Sequence, residues 1–493
     1  MSRALHFLAP AAVSLAMLSG CTNLAPTFQQ PAAPIPAAWP SPGAVAPGGV
    51  ATASSTMTAG GSARAPIDTG WRDFFVDERL REVVALALAN NRDLRVAALN
   101  IERAQAQYGV TQASLLPALN AGAGASRARS PGSTATSGQA RLATQYNANL
   151  AMTSYEVDLF GRVRNLSDAA LETFFATEET QRSTQISLVA SVAGAWLQLA
   201  ANMQRLQLAR GTLESQRRSY DLVEKAHALG AQSGLALAQS RSTVETARAD
   251  AANFDSVVEQ NRNALALLVG AVPPPALMPM PDTLLAPLPT AQLLAPPADL
   301  PSSVLQQRPD VLAAEHALRS SNVSIGAARA AFYPRITLTG SAGVASNSLS
   351  SLFEGASKAW SFGPSISLPI FDGGANRANL RVAEVQRDIQ IANYEKTVQT
   401  AFREVAHALA ERRTLAERLD AQRALVAATS RSFELSQALF RSGSGSFLDV
   451  LDAQRSLYTV QQSLIGLLLT EQSNRLTLYK ALGGGWREVN VGG

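Results

Sequence analysis

The chain has 493 residues, length enough for several domains, with a net charge of +4 and a pI near 9.4. Only 16% of its residues are charged and the arginines are dispersed, so the basic stripe of a nucleic-acid binder is absent. Its one cysteine, Cys21, excludes an intrachain disulfide and a cysteine-based metal site, and His6, His227, His316 and His407 stand too far apart for a metal-ligand spacing. No cofactor or metal is expected, and no nucleophile-base arrangement or phosphate loop points to an enzyme.

In chain order, Arg3 and His6 precede the apolar stretch FLAPAAVSLAML at 7–18. It is shorter than the ~20 residues of a membrane-spanning helix and fits a secretory leader over 1–20. The leader ends in Leu18-Ser19-Gly20-Cys21, which resembles the lipobox of bacterial lipoproteins. That resemblance implies a covalent lipid on Cys21; an incidental thiol is the other reading. Thr22 follows where an aspartate would imply retention in the inner membrane, so the resemblance implies the outer membrane. From Thr22 to about Pro66 the residues are mostly Pro, Ala, Gly, Ser and Thr, too poor in large apolar side chains to offset ordering entropy, and 21–70 reads as a tether.

A Pro-rich belt at 273–301 divides the remainder into halves, 71–272 and 302–486, with a short tail at 487–493. The halves match. Asp93, Gly109, Ala113 and Pro117 recur as Asp310, Gly326, Ala330 and Pro334, each pair 217 positions apart, which indicates an internal duplication. Each half is expected to begin with a helix (80–116; 302–333) that stops at a proline. Two alternating stretches follow, then a proline-free helical run (161–229; 373–440), a Gly/Ser turn, and a last helix (234–270; 446–482). At a rise of about 1.5 Å per residue each long run reaches about 100 Å if unbroken.

The strand signal is clearest in WSFGPSISLPI, where Trp360, Phe362, Pro364, Ile366, Leu368 and Ile370 alternate with Ser361, Gly363, Ser365 and Ser367. ITLTGSAGV repeats the pattern from Ile336 to Val344. The first half has Tyr146, Ala148, Leu150 and Met152 against Gln145, Asn147 and Asn149, and before them a bland LNAGAGAS. Such strands suit a transmembrane β-barrel or a soluble antiparallel sheet; the aromatic end of the 360–370 stretch favours the barrel. Four strands cannot close one, so a membrane reading requires oligomerisation. The apolar stretch at 186–201 is read as packed helix, because its counterpart in the second half, VQTAFREVAHALAERR, is charged throughout.

These duplicated halves, with the turns DLFGRVRN (158–165) and PIFDGGANRAN (369–379), the stretch GSFLDVLDAQRSL (445–457) and the ending LYKALGGGW (478–486), resemble the outer membrane factor family of TolC-like efflux channels, NodT-type lipoprotein branch. The resemblance covers about residues 70–486. It implies an α+β membrane protein: a homotrimer with a 12-stranded outer-membrane β-barrel, four strands per chain, continued by a periplasmic α-helical barrel. It further implies an exit duct for small molecules or ions, with a periplasmic adaptor and an inner-membrane pump as partners and no chemistry of its own. A periplasmic coiled-coil scaffold or adaptor lipoprotein is the alternative, but it has no use for four alternating strands.

The two inter-helix turns, with Gly230 and Gly234 in the first and Gly443 and Gly445 in the second, are then the tips that meet the adaptor. Only the second is followed by acids. Asp449 fits a capping pattern with Ser446, and Asp452 has the spacing for a surface ion pair with Arg455. The family resemblance offers the other reading, in which Asp449, Asp452 and Arg455 narrow the periplasmic entrance. Gly445 stands where some relatives carry a basic residue, which leaves Arg455 as the basic partner.

Overall fold

A computed structural model of the chain describes residues 22–39, 70–131, 133, 139–280 and 301–485. The leader, Cys21, most of the Pro-rich belt and the tail from Trp486 lie outside the described residues. The chain divides into two compact units, one of residues up to 32, 100–178 and 313–395, the other of 33–99, 179–312 and 396 onward.

The elements run α1 (Trp71–Phe74), α2 (Glu78–Asn90), α3 (Arg92–Ala113), β1 (Leu119–Ser130), β2 (Arg141–Val157), α4 (Arg162–Ala228), α5 (Gly234–Val269), α6 (Pro309–Ala330), β3 (Arg335–Ser346), β4 (Lys358–Ser367), α7 (Ala375–Arg441) and α8 (Phe447–Ala481). The duplication survives in register. Pro309 follows Arg92 by 217 positions, while Ala375 follows Arg162, and Phe447 follows Gly234, by 213. The long helices α4 and α7 each run 67 residues unbroken.

Three expected elements differ. The helix expected over 80–116 breaks at Asn91, whose Oδ1 accepts the Leu94 N–H at 2.8 Å while its Nδ2 donates to the Leu268 carbonyl at 2.8 Å. One side chain thus caps α3 and ties it to α5. The helix expected over 302–333 begins instead as a 3-10 segment, Ser302–Gln307, and restarts at Pro309, since the residue before a proline is pushed out of helical geometry. The strand expected to reach Ile370 ends at Ser367, because β3 has no residue left to pair beyond Arg335.

In the first unit the strands form one antiparallel sheet in the order β1-β2-β3-β4. β2 of one half pairs with β3 of the other, Leu150 opposite Ala342, so the sheet joins the repeats. The bland LNAGAGAS becomes part of a twelve-residue strand through its ladder with β2 alone. The register puts Leu119, Leu150, Ala342 and Trp360 on one face and Gly122, Asn149, Gly343 and Ser361 on the other. One face is therefore apolar and the other polar, where the Ser341 and Ser361 hydroxyls lie 2.8 Å apart.

Two acids start the long helices. The Asp158 carboxylate accepts the Arg164 N–H at 2.8 Å. Asp372 accepts those of Gly374 and Asn376 at 2.9 and 2.8 Å, and these two bonds, Asn376 first, hold its carboxyl below the usual range. The turns DLFGRVRN and PIFDGGANRAN are thus helix starts.

The segment expected to be a free tether is partly bound. In the first unit Asn322 Nδ2 donates to the Pro26 carbonyl at 2.8 Å, Arg329 to that of Leu24 at 3.3 Å, and Gln30 reaches Glu315 and the Tyr394 hydroxyl, both at 3.2 Å. In the second unit Ser302 Oγ donates to the Pro36 carbonyl at 2.7 Å and Trp39 stacks on Phe402 at 4.9 Å. Extended backbone satisfied by Asn322 and Arg329 of α6 and by Ser302 supplies the order that composition did not reveal.

The core of the second unit gathers Trp71, Phe74, Val83, Val84, Val192, Trp196, Leu265 and Tyr479, with Phe74 stacked on Tyr479 at 3.7 Å. Val189, Val192 and Ala193 of the 186–201 stretch are buried in it, as packed helix requires. Beside the core, Arg308 is 8% exposed and donates to the Ala481 carbonyl and to the carboxylates of Asp310 and Glu404. Burial disfavours its charge, but those carboxylates outweigh it and raise its pKa. Replacing it with methionine leaves a buried carbonyl and two acids unmatched; Arg308→Met is expected to destabilise the protein by about 2–3 kcal/mol, read as a lower thermal midpoint in detergent.

Candidate functional site

The two turns between long and short helices belong to the second unit and are built alike. After α4, the Ala231 N–H donates to the Ala226 carbonyl and that of Gly230 to His227, at 2.8 and 2.9 Å. After α7, the Ser444 N–H donates to Leu439 and that of Gly443 to Phe440, both at 3.0 Å. Gly230 and Gly443 take φ of +75° and +78°, the left-handed geometry that closes a helix and suits glycine. Ser233 and Ser446 then open the next helices, accepting the N–H groups of Ala236 and Leu448 at 3.2 and 3.1 Å.

The other two glycines separate by their surroundings. At Gly234 the first atom an added Cβ meets is His227 Cε1 at 3.9 Å, so a side chain fits. At Gly445 it would stand 2.9 Å from Leu439 Cβ. A side chain at Gly445 would therefore crowd the turn where it winds over Leu439.

Beneath the turns Val223, Ala236, Phe447 and Leu451 are buried together, with Phe440 and Leu237 against them, and the rings of Phe440 and Phe447 are 5.3 Å apart. This apolar lock between the helix pairs was not anticipated. Its signal in the sequence is two phenylalanines flanking a Gly/Ser turn. Further along, Gln216 accepts the Thr243 hydroxyl at 2.8 Å and Arg210 pairs with Asp255 at 2.7 Å, joining α4 to α5. Asn474 Nδ2 donates to the Ala408 carbonyl at 2.9 Å, joining α8 to α7.

Asp449 is the N3 residue of α8 and completes a capping box: its Oδ2 accepts the Ser446 N–H at 3.4 Å. Asp452 stands one turn on and pairs with Arg455 at 3.6 Å within the same helix, both side chains more than half exposed. The matching positions in α5 are Ala236, which is buried in the apolar lock, and Gln239. The acids thus belong to one repeat alone, and a charge matching Asp449 in the other would fall in apolar packing. Asp449, Asp452, Arg455 and the four glycines lie at one end of the helices; Cys21 lies outside the described residues.

The chain thus combines a four-stranded sheet with one apolar face, two unbroken 67-residue helices and two matching Gly/Ser turns. The family profile for outer membrane efflux proteins matches residues 83–271 and again 300–484. The chain is 43% identical over 478 residues to a probable efflux pump outer membrane protein, TtgC, of Pseudomonas putida, covering 97% of this chain and 95% of that one. The chain belongs to the outer membrane efflux protein family. A membrane protein from Pseudomonas aeruginosa superposes with a TM-score of 0.84 at 41% identity, over 94% of this chain and all of that one. The open-state MtrE outer membrane channel of Neisseria gonorrhoeae gives 0.80 at 37% identity, over 94% and 99%. As a member of the outer membrane efflux protein family, this chain is an outer-membrane channel component of an efflux system, a conduit without enzymatic chemistry. The apolar face of its sheet meets lipid, and its helices extend into the periplasm.

The turn geometry sets apart substitutions that composition treats alike. Gly443→Val and Gly445→Val are expected to loosen the second turn, and Gly234→Ala to leave the first intact. Hydrogen exchange over 226–236 and 438–450 reads the difference, with protection lost by about tenfold or more in the two valine variants.

Proposed function

We propose that three copies of the chain form the exit duct of a tripartite efflux pump, anchored by a lipid on Cys21 and narrowed at its periplasmic mouth by Asp452 and Arg455. The observation that carries this reading is the open sheet. Among the described residues β1 and β4 each leave a row of backbone N–H and C=O groups without a ladder partner, and in hydrocarbon each unmet group costs several kcal/mol. Other copies of the same sheet supply the partners; two would reach the minimum of about eight strands, and three give the family's twelve. Residues 368–370, unpaired in the chain, then continue β4 against β1 of the next copy.

The duplication indicates how the copies meet. Within one chain α6 lies on α4: Ser320 Oγ donates to the Ala169 carbonyl at 2.8 Å, and a Cβ at Gly326 would come 2.6 Å from Asn165 Nδ2. Among the described residues no hydrogen bond of this kind joins their repeat counterparts, α3 and α7. No residue of α3 is buried, Val96, Leu99 and Val110 are exposed, and Gly109 has nothing within 4 Å. Shifting the α4–α6 contact by the repeat offsets pairs Gly109 with Ala378, one from each of two neighbouring copies. In Gly109→Cys/Ala378→Cys, oxidation is expected to give covalent dimers and trimers on denaturing gels, and each single variant none.

In such a trimer each acid occurs three times around an axis, a focused negative field that favours cations. Asp449 is engaged in its cap, so the ring falls to Asp452, with Arg455 as its counter-charge. The turns around Gly230, Gly234, Gly443 and Gly445 are the surfaces offered to a periplasmic adaptor, and an inner-membrane pump supplies the energy. Asp452→Ala/Arg455→Ala is expected to raise single-channel conductance severalfold in planar bilayers and to lower cation preference. Unchanged conductance and selectivity would remove these residues from the gate.

A further inference from the structure

The strands carry one acid, Glu156, at the end from which the helices leave, where it pairs with Arg162 and Arg335 at 2.7 and 2.6 Å. Four cations stand at the opposite end: Arg127 and Arg129 on β1, Arg141 on β2 and Lys358 on β4. The register sorts them by face. Arg127 and Arg129 are in step with Leu119, Ala121 and Ala123, and their partners Thr144 and Leu142 are in step with Tyr146 and Leu150. Lys358 is in step with Trp360, Phe362 and Ile366. Those three cations therefore belong to the face that meets lipid. Arg141, opposite Ser130, is in step with Gln145, Asn147 and Asn149 on the polar face.

Their height follows from the strand. Arg127 is eight residues from Leu119 and Lys358 eight from Ile366; at about 3.3 Å per residue and a tilt of about 40°, each stands about 20 Å up, and Arg129 about 25 Å. That is the thickness of a barrel's apolar band, so these side chains emerge from the hydrocarbon on the side away from the helices. Tyr146 and Trp360 lie just below them, at the level where aromatic rings sit at an interface. A cation on a lipid-facing surface is stabilised by an anion beside it, and the anion a lipid surface presents is phosphate. Arg127 and Arg129, two positions apart on one face, offer two guanidinium forks about 7 Å apart along the strand, which match a headgroup bearing more than one phosphate.

We propose that Arg127, Arg129 and Lys358 form a binding rim for the phosphorylated glycolipid of the outer leaflet, which fixes the height of the sheet in the membrane. The proposal rests on the outer-membrane location. In a closed ring of copies β4 lies beside β1 of its neighbour, so Lys358 of one copy adds to the arginine pair of the next.

The test measures retention of bis-phosphorylated lipid A by the full-length protein in detergent, with dephosphorylated lipid A and phosphatidylglycerol as the other probes. Arg127→Ala/Arg129→Ala/Lys358→Ala is expected to lose tenfold or more of the bis-phosphorylated glycolipid, while Arg141→Ala retains it. Arg127→Gln/Arg129→Gln serves if the triple variant does not assemble, with oligomer size followed by chromatography. Equal retention by wild type and variants, or equal binding of dephosphorylated lipid A, overturns the proposal. Phosphatidylglycerol binding as tight as that of the glycolipid overturns the choice of headgroup. Failure of the location itself would remove wild type and variants alike from outer-membrane fractions, an outcome distinct from all of these.

Discussion

A strand edge inside a bilayer has no water to turn to, and this chain brings two such edges, one on β1 and one on β4. The rest of the architecture can be read from that requirement. The same two-repeat sequence that pairs β2 with β3 inside the chain presents a matching pair of edges outside it, so one mode of pairing serves within and between copies. The helices repeat the arrangement: α6 is covered by α4, and α3, its counterpart, has no buried residue. A duplicated protein of this kind is half of its own interface.

Length and rigidity come from the helices. Nothing in α4 or α7 interrupts the backbone ladder for 67 residues, and both begin at an acid, Asp158 or Asp372, whose carboxylate takes up free N–H groups. Their surface ion pairs, such as Arg431–Glu434 and Arg423–Asp420, are exposed and contribute little. Stability concentrates where side chains are buried together, in the aromatic core around Trp196 and Tyr479 and in the lock under the turns. Arg308 is the costly exception, a buried cation held by a carbonyl and two carboxylates.

The turns show how one fold can be conserved in shape and divided in role. Both close with a glycine of positive φ and reopen with a serine cap, so both can serve as tips. Their first helical turns differ: Ala236 packs inward where Asp449 completes a capping box. Acids directly after a turn therefore occur in one repeat, and of the two Asp452 lies beyond the cap.

Much was legible in the sequence because it is local. Glycines, prolines and caps bound the long helices, alternation marks β3 and β4, and the repeat offset announces two copies of one design. The break at Asn91 was not legible, because its side chain is spent on Leu268, 177 positions away. β1 was legible only faintly, as the weak first stretch of its half, because its glycines and alanines are held as a strand by the ladder with β2. The bound segment from Thr22 to Trp39 escaped notice for the same reason: its partners, Asn322, Glu315, Tyr394 and Ser302, lie on distant helices. By itself the sequence determined the family, the duplication, and the order and length of the elements, since backbone conformation and periodicity act over a few residues. Only the tertiary structure decided which face each charge occupies, which aspartate is engaged in a cap, and which surfaces a single copy leaves uncovered, because those depend on the side chains that folding brings alongside.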